Sequence, residues 1–267
     1  MARSNKIIRV LSLCLALACL FGCTQRPDGE TPIETTNTAE ITVTPALPAT
    51  PVPAPESKAP EAVATPEPTP ASTPAPTYPD LTVQPAKDND FFSDSAFLGN
   101  SLVDGLRLFS GINSCDYYCA TSMTVAGAGD LINQMSQKEY GKIYILLGIN
   151  EIGYDVNYFT DLYQKMLDTI KANHPGTDIY VMGLTPVSQH KSSTDSTFTM
   201  DRIRLYNSAL HKLAAENECW YLDLCAGLAG SDGYLPANVT SDGVHFAAGH
   251  YKVWADYLKT HYNPLAD

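Results

Sequence analysis

Over the C-terminal two thirds of the chain, short apolar runs alternate with amphipathic stretches. Ala96–Gly99, Asp116–Ala120, Lys142–Gly148, Asp178–Leu184 and Trp220–Leu224 are brief and rich in residues that suit buried strands, so five strands are predicted. Between the third and fourth of these, Phe159, Leu162, Tyr163, Met166 and Ile170 recur at spacings that put them on one helical face. That face predicts a helix from about Asn157 to His174, stopped by Pro175-Gly176. Further helices are predicted over about Met200–Glu216 and Ala247–Tyr262. Strands alternating with helices imply a parallel sheet covered on both faces. The expected fold is therefore α/β, a three-layer α/β/α sandwich with a five-stranded parallel sheet, whose ligands bind beyond the carboxyl ends of the strands.

The first part of the chain has neither pattern. Arg3, Lys6 and Arg9 precede the apolar run Val10–Phe21, which is short for a bilayer span and reads as a secretory signal. The run ends in Leu20-Phe21-Gly22-Cys23, which resembles a bacterial lipobox and makes Cys23 the candidate lipidation site; plain secretion is the simpler alternative. From Thr24 to Ala86 the chain carries 15 of its 19 prolines, mixed with Thr and Ala. Such a segment has too little apolar surface to offset chain entropy, and is expected to be a disordered tether with polyproline character. At about 3.1 Å per residue it could reach roughly 200 Å, and as a flexible coil about 40–50 Å. The expected organisation is a signal over 1–23, a tether over 24–87 and one domain over 88–267.

Charge narrows the partners. Residues 88–267 hold 11 Lys and Arg against 21 Asp and Glu, a net −10, which argues against nucleic acid and against electrostatic docking on anionic lipid. Four of the seven cysteines, Cys115, Cys119, Cys219 and Cys225, fall in the domain. Cys115 and Cys119 flank a predicted strand, where extended residues would hold them roughly 13 Å apart, too far to bridge. No Cys-x-x-Cys pair is present, and no metal or other cofactor is expected.

Three short motifs carry the candidate chemistry. Gly99-Asn100-Ser101 follows the first strand, Gly148-Ile149-Asn150 the third, and Asp242-Gly243-Val244-His245 the fifth. Singly each has an ordinary reading: Ser101 as a helix N-cap, Asn150 as a turn residue, His245 as a surface histidine. Asp94-Ser95 is a decoy that precedes its strand, and His245 with His250 lacks the arrangement of a zinc protease. His174, His190, His211, His250 and His261 read as solvated. Jointly, at the carboxyl ends of strands, the three motifs supply what acyl transfer needs. A serine hydroxyl is a weak nucleophile until a neutral imidazole takes its proton, a carboxylate fixes that imidazole's tautomer, and N–H groups offset the charge that grows on the carbonyl oxygen.

With these motifs the chain resembles the SGNH hydrolases, the GDSL-type esterases and lipases, over about residues 88–263. The resemblance implies a flavodoxin-like fold, with Ser101 as nucleophile, His245 as general base, Asp242 orienting it, and Asn150 and the Ser101 N–H in the oxyanion hole. It also implies a sheet order that puts Cys115 and Cys119 at one edge and Cys219 and Cys225 at the other, and hence no disulfide. Two positions depart from the family pattern. Asn100 stands where the family has Asp, and the family's second glycine falls on Ser122, with Gly127 and Gly129 as alternatives for that backbone donor.

The expected protein is an exported, lipid-anchored serine esterase acting on short-chain esters, in particular O-acetyl groups on carbohydrate. The loops 185–199 and 226–241, expected to border the cleft, are mostly polar or small and offer no apolar stripe for a long acyl chain. A lysophospholipase or thioesterase of the same fold, and a non-catalytic surface binding module, are the rival readings. Oligomeric state is open.

Overall fold

Five strands, β1 (Ser95–Gly99), β2 (Asp116–Cys119), β3 (Lys142–Leu146), β4 (Asp178–Met182) and β5 (Trp220–Leu222), pair in parallel in the order β2-β1-β3-β4-β5. This is a computed structural model, and it describes residues 81–265. Every described residue belongs to one unit of the chain. The expected signal, Cys23 and most of the expected tether lie outside the described residues.

All residues of β1 and β3 are buried, as strands covered on both faces require. Aromatic side chains at matching register form a row across the sheet: Tyr117 on Phe97 at 5.2 Å, Phe97 on Tyr144 at 4.6 Å, and Tyr144 on Tyr180 at 4.5 Å between ring centroids. Such pairs are worth about 0.5–1.5 kcal/mol each beyond their buried area, and they lock the four strands in one register.

Among the described residues seven α-helices complete the layers: α1 (Ser101–Phe109), α2 (Gly129–Met135), α3 (Val156–Asn173), α4 (Gln189–Thr194), α5 (Met200–Glu216), α6 (Leu224–Leu228) and α7 (Ala248–Leu258). Packing pairs α7 with both α1 and α6, and α3 with α5. In α3 the predicted face is the buried one: Phe159, Tyr163, Met166 and Ile170 are joined by Leu167, while Leu162 is partly covered. Asp155 starts this helix by accepting from the Asn157 and Tyr158 amides.

Several expectations change. Strands β2–β5 are shorter than their apolar runs. The short helices α1, α2, α4 and α6 lack the long apolar periodicity that marks α3, and α4 lies inside a stretch read as loop. His174, read as solvated, is only 2% exposed at the end of α3; Tyr140 lies against it, and burial lowers its pKa. The domain also begins before residue 88. Gln84 and Lys87 donate backbone hydrogen bonds to Thr260 and Lys259, Tyr262 Oη donates to the Pro85 carbonyl, and Leu81 packs on the core. A single leucine and two backbone bonds are too little signal to stand out in a proline-rich stretch.

Candidate active site

The sheet order reverses direction between β1 and β3, and in open α/β sheets the crevice for ligands forms at such a switch point. Ser101 follows β1 and Asn150 follows β3, so their positions are set by adjacent, fully buried strands.

Asn100, buried, is the N-cap of α1: its Oδ1 accepts from the Leu102 amide at 3.0 Å. The capping role that fits Ser101 in isolation therefore belongs to its neighbour, and Asn serves as well as Asp there. Ser101 becomes the first residue of the helix, where backbone N–H groups have no partner within the helix and the dipole favours negative charge. Its Oγ lies 2.9 Å from His245 Nε2, and His245 Nδ1 lies 2.6 Å from Asp242 Oδ2. A carboxylate only accepts, so this pairing makes Nδ1 the protonated nitrogen and leaves Nε2 to accept from Ser101.

The 240–245 loop holds this arrangement with its own bonds. Asp242 Oδ1 accepts from the Val244 and His245 amides at 2.9 and 2.8 Å, and Thr240 Oγ1 accepts from the Gly243 amide at 2.9 Å. Partial burial opposes ionisation of Asp242, but the His245 ring and the two amides outweigh it and hold the carboxyl at about 2. Gly243 is required: its φ is +85°, and a Cβ there would press on Ser188 and Lys191. Its carbonyl accepts from the Ser188 amide, which docks the loop on the segment leading into α4.

Across the cleft, Asn150 sits in a 3-10 turn, Ile149–Glu151, and donates Nδ2 to the Met123 carbonyl at 2.8 Å, leaving its second N–H available. Ser122 has φ +58°, the left-handed region that glycine occupies freely and other residues adopt under strain. Ser101, Leu102, Thr121, Ser122, Ile149, Asn150, Lys191, Phe198, Asp242, Val244 and His245 line a single cavity of about 250 Å³. All five expected active-site residues are brought together. Gly127 and Gly129, the alternatives to Ser122, are not among its lining residues.

Of the loops expected at the mouth, 185–199 supplies Lys191 and Phe198, and 226–241 supplies no lining residue. The latter is a buttress, with the Leu235 amide bonded to the Val187 carbonyl. Lys191 also went unread in the sequence; it pairs with Asp195 at 2.9 Å and lies 4.9 Å over the Phe198 ring. A larger cavity, about 490 Å³, lies along α5 and β5 beside Arg204, His211 and Asp223, and does not contain this serine–histidine pair. Among the described residues no cluster of three His, Cys, Asp or Glu is placed to hold a metal ion.

Residues 97–253 match the model of the GDSL-like Lipase/Acylhydrolase family, and the chain belongs to that family. Members are generally serine ester hydrolases. The fold recurs in solved structures. A GDSL-like lipase from Bacteroides thetaiotaomicron is 16% identical with a TM-score of 0.51, over 67% of this chain and 90% of that one. A Parabacteroides merdae protein described as a GDSL-like lipase is 15% identical with a TM-score of 0.54, over 67% and 96%. No curated protein matches the chain.

Proposed function

We propose that this protein is a serine esterase that removes short acyl groups, with O-acetyl groups on carbohydrate as its substrates, and that it is exported and held at the membrane by a lipid on Cys23. The observation that carries the reaction is the unbroken chain from Ser101 Oγ to His245 to Asp242. In this reading Ser101 Oγ attacks the ester carbonyl as its proton passes to His245 Nε2. Asp242 stabilises the imidazolium, which then protonates the leaving alcohol. Water, activated by the same histidine, releases the acid and restores the serine. The Ser101 and Ser122 N–H groups and the Asn150 amide face the developing oxyanion; one such donor is typically worth about 3–4 kcal/mol.

The acyl preference rests on the cavity. At about 250 Å³, with Leu102, Ile149, Phe198 and Val244 beside Thr121, Lys191 and Asn150, it accommodates a short acyl group and has polar walls for a hydroxylated carrier. A fluorophosphonate probe should label the wild type and leave Ser101→Ala unlabelled, and acetyl esters should turn over faster than butyryl and far faster than palmitoyl esters. An unlabelled, inactive wild type would leave the binding-module reading standing, and a palmitoyl preference would favour a lysophospholipase. The anchor is tested separately. A palmitate analogue should mark the wild type and not Cys23→Ala.

A further inference from the structure

Glu151 is the only fully buried carboxylate among the described residues, and the acyl-transfer steps do not use it. Burying a carboxylate is costly unless its oxygens are satisfied. Here one oxygen is satisfied and one is not: Oε1 accepts from the Val125 amide, while Oε2 has no protein hydrogen-bond partner. Burial, the dominant influence, raises the pKa, and the Val125 N–H works against it. A residue that serves packing alone would be apolar at this position, between Ile149 and Ile152, both in the core.

What the carboxylate holds is informative. Val125 ends the segment that begins at Ser122, and Asn150, the residue before Glu151, grips the same segment at the Met123 carbonyl. Two consecutive side chains of the 149–151 turn thus clasp Met123–Val125 at both ends. The turn is itself anchored, since the Glu151 amide donates to Gly148 and the Glu151 carbonyl accepts from Tyr206 Oη of α5. Without the carboxylate, the buried Val125 N–H would lose its partner and the segment would be pinned by Asn150 alone.

We infer that Glu151 is a positioning residue of the oxyanion hole: its carboxylate fixes the 122–125 segment against the 149–151 turn, so that the Ser122 N–H and the Asn150 amide keep one mutual geometry. The inference rests on the acyl-transfer reading of the cleft. It also explains why a strained, left-handed Ser122 persists, because a backbone held at both Met123 and Val125 cannot relax.

The test is a kinetic series on the full chain with an acetyl ester, alongside thermal melts and affinity for a methylboronic acid, whose tetrahedral adduct on the serine places an oxygen in the oxyanion hole. Glu151→Ala should lower kcat by about 10–100-fold at nearly unchanged KM and weaken boronate binding in proportion. Glu151→Gln, which keeps an acceptor for the Val125 N–H, should recover most of both. In an Asn150→Ala background the same Glu151→Ala change should cost more than it does in the wild type, because Glu151 is then the last hold on the segment that carries the Ser122 N–H. Glu151→Asp, which withdraws the carboxylate by one methylene, takes the place of Glu151→Ala if the latter does not fold, with the same kinetic loss expected. Folded Glu151→Ala or Glu151→Asp with kcat within threefold of wild type, or full additivity with Asn150→Ala, overturns the inference while the esterase reading stands. A wild type that neither turns over nor labels overturns both.

Discussion

The two walls of the cleft are built on different principles. The Asp242–His245 wall is local: six consecutive residues hold one another, and the two side chains remain half exposed, at 51% and 49%. The opposite wall joins Met123 and Val125 to Asn150 and Glu151 through contacts 27 and 26 residues apart and ends on a carboxylate that is 1% exposed. A local, solvated arrangement lets a substitution change proton chemistry while the fold stays intact. On the buried wall, by contrast, geometry and packing move together, so kinetic and stability effects should arrive as a pair.

The largest expected effect falls on the local wall. Asp242→Asn should lower kcat by on the order of 10⁴-fold with only a modestly lowered melt, because the amide turns a donor toward Nδ1 and selects the wrong tautomer while its oxygen still accepts from the loop amides. A loss under tenfold would mean that the carboxylate serves the loop rather than the imidazole. Its pH signature has a definite sign. With the folded carboxyl near 2 against an ordinary 3.8, its contribution to stability is complete above pH 3.8 and disappears as pH falls through about 2, which an NMR titration of the carboxyl would follow.

The next effect tests the buried wall. Asn150→Ala should cost on the order of 10²–10³ in kcat with little change in KM, and should also lower the melting temperature because the Met123 carbonyl loses its donor. Single-turnover rates within about threefold of wild type, under roughly 0.7 kcal/mol, would reject the oxyanion role. Ser122→Gly is the smallest. Relief of the left-handed serine should raise stability by up to about 1 kcal/mol, partly offset by the entropy that glycine adds to the unfolded chain, with kcat unchanged within a few-fold. A clear loss of activity would mean that the Ser122 side chain itself shapes the pocket.

The same contrast explains what could be read from the chain. Strand runs and the α3 face were legible because burial on both sides of a sheet, or along 18 residues of helix, leaves a periodic record. The 242–245 loop was legible because its partners are neighbours in sequence. His174 reads as solvated in the sequence because Tyr140, which lies against it, is 34 positions away in the loop before β3, and a lone histidine carries no mark of what covers it. Glu151 left a faint signal, a single acid among Ile143–Ile152, yet its partner Val125 could be found only in three dimensions. Lys191 enters the cleft from α4, too short a helix to register as periodicity, and Phe198 from the turn that follows it.

The four domain cysteines sharpen the topological side. β2 and β5 are opposite edges of the sheet, and burial raises the thiols to about 11 in Cys115, Cys119 and Cys219 and about 12 in Cys225. Four alkylatable thiols are expected in the denatured, unreduced domain, and recovery of none would contradict the edge placement.

Finally, Ser101 opens α1, His245 precedes α7, and the hydrogen bond between them spans 144 positions. The two helices meet where Gly105 leaves room for Tyr251, whose ring lies 5.7 Å from that of Phe109; any side chain at 105 would press into that ring. Ser101 therefore meets His245 only after the last helix has docked on the first. A chain whose last helix has not docked holds Ser101 apart from His245, so the onset of phosphonate labelling is expected to time the closure of the whole domain, a long-range event of high contact order.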